Sequence, residues 1–375
     1  MRLPPFALER YFSQHEFTSE LLLSSSDCES MSVSELLAAE PAAADALMRQ
    51  RLGYTESTGS PSLRREICRL YRAIDAEQVL VHAGAEEAIY VFMSAVLEPG
   101  DHLIVHRPCY QSLSDIAAAA GCDVSSWQAR EEDGWALDPD ELRRLVRRST
   151  RAIVINTPHN PTGFHMGREL LQETVEIAER NGIILFCDEV YRGLEYEPAD
   201  RLPAACDLGE HAVSLGVMSK TYGLAGLRIG WVATRNAAVL SRMAVQKDYT
   251  TICCSAPSEL LAEVALRHAE AIGERNRSIV RDNLAVLDSF FARHSEDFAW
   301  KRPLAGPVAF PRLLRGEVNA FCDSLRSRAG VVLLPGGVYG DAGGHFRIGF
   351  GRRNMPAAVQ RMEEFLYLDP ATPGR

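Results

Sequence analysis

The chain has 375 residues, 46% of them hydrophobic and 24% charged, with a formal net charge of −10. That length can bury a large core and leaves room for more than one domain, while the acidic balance speaks against nucleic acid or an anionic membrane surface as partner. The nine cysteines are scattered, odd in number and without metal-ligand spacing, so no metal is expected and the thiols read as free in a reducing cytoplasm. No apolar run is long enough for a signal peptide or a membrane span.

In chain order, residues 6–20 read as a helical arm carrying Phe6, Tyr11, Phe12 and Phe17. A short strand follows at Leu21-Leu22-Leu23, then the polar turn Ser24-Ser25-Ser26-Asp27. Helical patterns are expected at 34–51 and from Ser62 to Ala73, the second opened by the turn from Gly53 to Pro61 with Ser60 or Ser62 as cap. Apolar strands then alternate with helices. The strands are placed at 78–82, 102–106, 123–127, 151–156, 182–187, 212–217 and 229–233, and the helices at 86–97, 110–120, 139–148 and 167–181. The alternation indicates an α/β fold, a mostly parallel seven-stranded sheet sandwiched by helices, whose ligands bind beyond the carboxyl ends of the strands. A helical stretch over 257–294 crosses to a smaller α+β domain with Val308-Ala309-Phe310, a helix at 316–329 and strands at Val331–Leu334 and Phe346–Gly349. The expected division is 1–45 for the arm and part of the small domain, 46–255 for the large domain, and 256–375 for the linking helix and the rest of the small domain.

The stretch from Met218 to Gly230 organises the chain. Lys220 follows the apolar run Ala212 to Val217, and Gly223, Gly226 and Gly230 punctuate the turn that leads past Arg228. Only three of the 40 Lys and Arg residues are lysines, Lys220, Lys247 and Lys301. A chain that otherwise prefers arginine has reason to keep a lysine where amine chemistry is needed. Taken alone, Lys220 also fits a surface turn. Other motifs lie at strand ends. Gly84-Ala85-Glu86 opens a helix whose exposed amides suit an anion. Arg107-Pro108-Cys109-Tyr110, Asn156-Thr157-Pro158-His159-Asn160-Pro161-Thr162-Gly163 and Asp188-Glu189-Val190-Tyr191 each end a strand, and Phe346-Arg347-Ile348 puts an arginine fork on one.

Ser219-Lys220-x5-Gly226-x-Arg228-x-Gly230 resembles the pyridoxal-phosphate (PLP) lysine signature of the fold-type I, class I/II aminotransferases, the aspartate aminotransferase superfamily. The other motifs fall in that family's order along nearly the whole chain. The resemblance implies that Lys220 holds PLP as a Schiff base and then moves the substrate's α-proton. Asp188 pairs with the pyridinium nitrogen, and Asn160 and Tyr191 bind the phenolic oxygen. Tyr110 stacks on the ring. The amides of Ala85 and Glu86, Ser219 and Arg228 hold the phosphate, with the Glu86 side chain turned away. Val217 stands where the family has Ser or Thr, so one phosphate bond is missing or is supplied by Ser219. Arg347, with Asn160, grips the substrate carboxylate. Tyr54 matches a tyrosine that in the family reaches the phosphate of a neighbouring subunit, which would make the unit a homodimer with shared sites. The Asn160–Pro161 bond is implied to be cis. His159 is read as structural, Glu189 as a solvated carboxylate without a role, and Arg352 and Arg353 as surface arginines.

Leu23-Ser24-Ser25-Ser26, Lys247-Asp248-Tyr249-Thr250-Thr251, Ala309-Phe310-Pro311-Arg312 and Gly330-Val331-Val332-Leu333-Leu334-Pro335-Gly336 are similar to the capreomycidine synthase-like branch, which handles guanidino amino acids. These stretches are expected to shape the substrate pocket. Its cation would need carboxylates, for which Glu9 and Asp27 are the candidates, with Ser25 beside them. The expected activity is transamination of a free α-amino acid. The alternatives are dehydrating cyclisation of a β- or γ-hydroxyarginine, oxidation of arginine by dioxygen, and a PLP-binding regulator without catalysis.

Overall fold

The computed structural model describes residues 2–340 and 343–368. Its central sheet has seven strands: β1 (Val79–His82), β2 (His102–Arg107), β3 (Asp123–Gln128), β4 (Thr150–Asn156), β5 (Ile184–Asp188), β6 (Ala212–Val217) and β7 (Gly230–Thr234). They lie side by side in the order β1-β7-β6-β5-β4-β2-β3. All neighbours run parallel except β7, which is antiparallel to both β1 and β6.

The sequence of the middle strands explains their place. Ala152-Ile153-Val154-Ile155 and Ile184-Leu185-Phe186-Cys187 are buried throughout, as strands covered on both faces must be. Successive side chains point to opposite faces. Ile184 and Phe186 join the core that contains helix Ala85–Val96, whereas Leu185 and Cys187 join the core under helix Arg168–Asn181. β3, at the sheet edge, is mostly exposed or half-buried.

A smaller layer brings the two ends of the chain together. Leu21–Leu22 pairs in parallel with Val331–Val332. Strand β8 (Phe346–Gly349) lies between Val308–Ala309 and Leu334–Pro335, antiparallel to both. The 25-residue helix Ala269–Arg293 leads into this layer.

Several expected elements are shorter or divided. The arm helix, α1, spans Ala7–His15. The 34–51 pattern forms two helices, Val33–Leu37 and Pro41–Arg49, because a proline favours a helix start and cannot continue the one before it. The helix capped by Ser60 runs Pro61–Cys68. The 257–294 stretch breaks at His268 into Ala256–Arg267 and Ala269–Arg293. The strand expected at Val331–Leu334 is two short ones, Val331–Val332 and Leu334–Pro335. Helices Ala237–Lys247 and Met355–Leu368 were not anticipated. No described helix is long and apolar enough to cross a membrane, and the nine cysteines carry no disulfide.

Candidate active site

A cavity of about 380 Å³ opens beyond the carboxyl ends of β4, β5 and β6. Its floor comes from the strand ends. Asp188, the last residue of β5, is 6% exposed, and its Oδ1 accepts the Val190 N–H at 3.2 Å. Burial pushes its carboxyl up to about 7, against the pull of that N–H and of Lys220. Asn156, ending β4, donates from Nδ2 to the Asp188 carbonyl (2.9 Å) and accepts the Asn160 N–H at Oδ1 (2.7 Å). The Asn160–Pro161 bond is cis. Asn160 Oδ1 is taken by the Tyr339 hydroxyl (3.1 Å) and Arg347 Nη1 (3.2 Å), so the amide N–H of its side chain is what it can offer a ligand. Tyr191 is 1% exposed and burial raises its phenol. Lys220 lies 6.0 Å from the Tyr191 ring centre, and its Nζ donates to Ser26 Oγ at 2.8 Å. Burial lowers its pKa, with Asp27 opposing.

One end of the cavity is an anion cradle. Gly84, at φ +90°, caps the 12-residue helix α2 (Ala85–Val96), so the first amides of that helix face the site. A Cβ on Gly84 would stand 2.7 Å from Arg228 Nη2, and one on Gly230 would stand 2.7 Å from the Gly84 carbonyl carbon. Glycine at both positions therefore lets the guanidinium close on the helix terminus. Arg228 itself is held in the left-handed region, φ +52°. Ser219 and Ala85 line the same space. Glu86 lines the same space. Its carboxyl follows the wall, accepts from Ser112 Oγ at 3.1 Å, and is pushed up to about 7 by burial.

The roof is the arm. The Phe6 ring lies 5.0 Å from that of Tyr110, Tyr11 donates to the Leu333 carbonyl at 2.8 Å, and Leu8 is 5% exposed. Tyr110 donates to Glu9 Oε1 at 3.2 Å, which draws Glu9 to the mouth although its side chain is solvent-exposed. Glu16, at the end of α1, lines the cavity too, its carboxyl raised by burial. On the opposite wall Arg347 is 1% exposed. It donates to the Ser24 carbonyl from Nε (3.1 Å) and Nη2 (2.7 Å) and to the Tyr339 hydroxyl from Nη1 (2.5 Å). Ser25 is buried beside it.

The expectations for Asp27, Arg352, Glu189 and the branch-like stretches change. Asp27 cannot serve as a spare carboxylate, because Arg352 grips it at 3.0 and 2.9 Å, and Arg352 is thereby a wall residue and not a surface arginine. Glu189 is 7% exposed and accepts from the Ala205 N–H (2.7 Å) and Ser214 Oγ (2.8 Å), so it is an internal brace. Tyr54 is 92% exposed and outside the cavity of its own chain. Of the four branch-like stretches only Leu23–Ser26 reaches the cavity. Lys247 is buried elsewhere, donating to the Ser57 and Ile252 carbonyls at 2.7 and 2.6 Å. Glu16, Tyr339 and Arg352 join the site only through tertiary packing, and no local motif marked them; Ser26 lay in a branch-like stretch, but nothing local pointed to its bond with Lys220. His159 is held by Thr162 (2.6 Å) and the Pro108 carbonyl (2.8 Å), stacked on His106, and pushed down to about 3 by burial.

The donor set suits PLP. It offers an amine, a buried carboxyl without a cationic partner in contact among the described residues, a phenol and an amide lining the same cavity, and a cradle of helix amides and guanidinium sized by Gly84 and Gly230. Comparison with known proteins agrees. The profile of the family described as aminotransferase class I and II matches residues 18–362. Capreomycidine synthase from Streptomyces vinaceus is 32% identical over 93% of this chain and 90% of its own. An arginine–pyruvate transaminase from Pseudomonas aeruginosa is 31% identical over 82% of this chain and 80% of its own. The crystal structure of the PLP-dependent cyclase OrfR superposes with a TM-score of 0.90 at 32% identity, covering 98% of both chains.

Proposed function

The chain belongs to the aminotransferase class I and II family and is a PLP-dependent, aminotransferase-like enzyme; from that premise we propose that its substrate is a free α-amino acid with a positively charged side chain. The observation that carries this reading is the charge layout of one cavity, with the Arg347 fork on the inner wall and the carboxyls of Glu9 and Glu16 along the mouth. Arg347 is fixed by Ser24 and Tyr339 and would meet the α-carboxylate as a fork. The mouth carboxyls would meet the side-chain cation.

Lys220, Asp188, Asn160, Tyr191, Tyr110 and Arg228, with the Ala85 and Glu86 amides and Ser219, would hold the cofactor. When bound, PLP supplies an electron sink for the substrate's α-carbon. Asp188 would keep a proton on the ring nitrogen, which its buried carboxyl can do only once a cation neutralises it. Lys220, neutral more readily because it is buried, would take the proton from Cα and return it elsewhere. The arm would exclude water.

Transfer of the amino group is the first reading. Dehydrating cyclisation of a β- or γ-hydroxyarginine is the second, favoured by the likeness to capreomycidine synthase and to a PLP-dependent cyclase. The reading also includes a small domain built from 1–45 and 256–375 around a large one at 46–255. It further includes a homodimer, supported by the exposed apolar residues Met48 (85%), Leu52 (85%), Tyr54 (92%) and Tyr249 (85%), with Tyr54 serving the partner's phosphate cradle.

The test is a panel of amino acids given to PLP-loaded protein, with and without a 2-oxo acid, with products read by mass spectrometry. A 2-oxo product formed only with an acceptor establishes transfer. Loss of water from a hydroxyarginine without an acceptor establishes cyclisation. Reaction with neutral amino acids alone would sink the cationic-substrate reading, and no reaction or spectral change with any amino acid would favour a regulator.

A further inference from the structure

The turn Ser24–Asp27 holds three of the four cations that line the cavity. The Ser24 carbonyl accepts from Arg347, Ser26 Oγ accepts from Lys220 Nζ at 2.8 Å, and the Asp27 carboxylate accepts from Arg352. The turn is itself pinned. Leu23 N–H donates to Val332 (3.0 Å), Gly349 N–H to Leu23 (2.9 Å) and Glu29 N–H to Gly351 (2.8 Å). Any side-chain carbon on Gly349 or Gly351 would overlap the backbone of Ser25 or Asp27. Glycine at these two positions lets the turn lie flat on the strand that carries Arg347, and this sets how far Ser26 reaches toward Lys220.

We infer that Ser26 is a positioning residue for proton transfer at Lys220. The inference rests on the reading that Lys220 takes the α-proton. In that step the substrate's Cα–H bond breaks, an N–H bond forms on Nζ, and the electron pair stays with the substrate. Nζ then carries a full charge in a buried place. Around it stand Asp27, Asp188, Glu9 and Arg347, with Glu16 facing the same space and the Tyr191 ring 6.0 Å away. None of these is in hydrogen-bond contact with Nζ. The Ser26 hydroxyl accepts one of its N–H groups, stabilises the ammonium form, and fixes the direction in which the remaining Nζ positions point.

The chain's three lysines make this measurable without turnover. Labelling lysine with 13C at Cε gives three resonances, and K220R assigns the one of interest. In cofactor-free protein, S26A should lower the Lys220 pKa by about one unit, the value of a hydrogen bond to a charged group, and leave Lys247 and Lys301 unmoved. In PLP-loaded protein, S26A should slow exchange of the substrate α-hydrogen with D2O about 10- to 100-fold at unchanged KM and move its pH optimum to lower pH. S26T should restore both. If S26A does not fold, S26T and S26V differ chiefly by the hydroxyl and carry the same comparison. A Lys220 titration and an exchange rate both within about twofold of the hydroxyl-bearing protein would overturn the inference. Wild-type protein that exchanged no amino acid at all would sink the parent reading and the catalytic part of this one, even if the lysine titration moved.

Discussion

Asp188, Asn160 and Lys220 stand at the ends of three adjacent parallel strands or within a few residues of them, anchored by the sheet. Glu9, Glu16, Ser26 and Arg352 face them from a helix of nine residues, a turn and a loop that meet only because both chain ends join the smaller layer. The floor is thus set by short-range backbone bonds in a buried sheet. The roof and mouth are set by contacts between segments far apart in sequence, such as Tyr110 to Glu9, Tyr11 to Leu333, Arg352 to Asp27 and the backbone bond from Leu23 to Val332. One region has little freedom to alter its geometry and therefore suits the chemistry shared by a family. The other can change by single substitutions and suits substrate choice.

The largest effect should come from the floor. Lys220→Ala should cut turnover by about 10⁴-fold or more and abolish the lysine–cofactor bond, read as loss of the borohydride-fixed mass increment. Retained turnover would remove the floor from the chemistry. On the inner wall, Arg347→Lys keeps the charge and loses the fork, and should raise KM for amino acids by about 10- to 100-fold. An unchanged KM would mean that the carboxylate binds elsewhere.

At the mouth, Glu9→Gln and Glu16→Gln should each raise KM for cationic amino acids by about 3- to 20-fold, while neutral ones stay within about twofold. Equal changes for both classes would erase the distinction between floor and mouth. The smallest effect is thermodynamic. Burial raises Asp188 and Glu86 to about 7 in the cofactor-free protein. Between about pH 4 and 7 the unfolded chain releases these protons while the folded one keeps them. Stability should therefore fall as pH rises through that window and level off above it, by a few degrees in Tm. Asp188→Asn should flatten the slope, and a slope unaffected by this change would place the titration elsewhere.

Alternating apolar strands and helices were legible because strands covered on both faces must be continuously apolar, and the seven predicted strands fall within about two residues of those observed. The floor was legible for the same reason, since each of its residues follows its strand at a fixed short distance. Glu189 was misread because its motif position says nothing about the Ala205 N–H and Ser214 hydroxyl that take its charge. Arg352 was misread because its partner, Asp27, lies at the other end of the chain.

The sequence by itself determined the α/β order, the strand-end motifs and the lysine turn, because these depend on residue period and on bonds within a few positions. Only the tertiary structure decided which carboxyls face the cavity, that Asp27 is already paired, and that Ser26 reaches Lys220. The first depends on the arm seated against Tyr110 and Leu333, and the other two on the turn at 24–27 lying against Gly349 and Gly351, contacts between distant segments that no local pattern encodes.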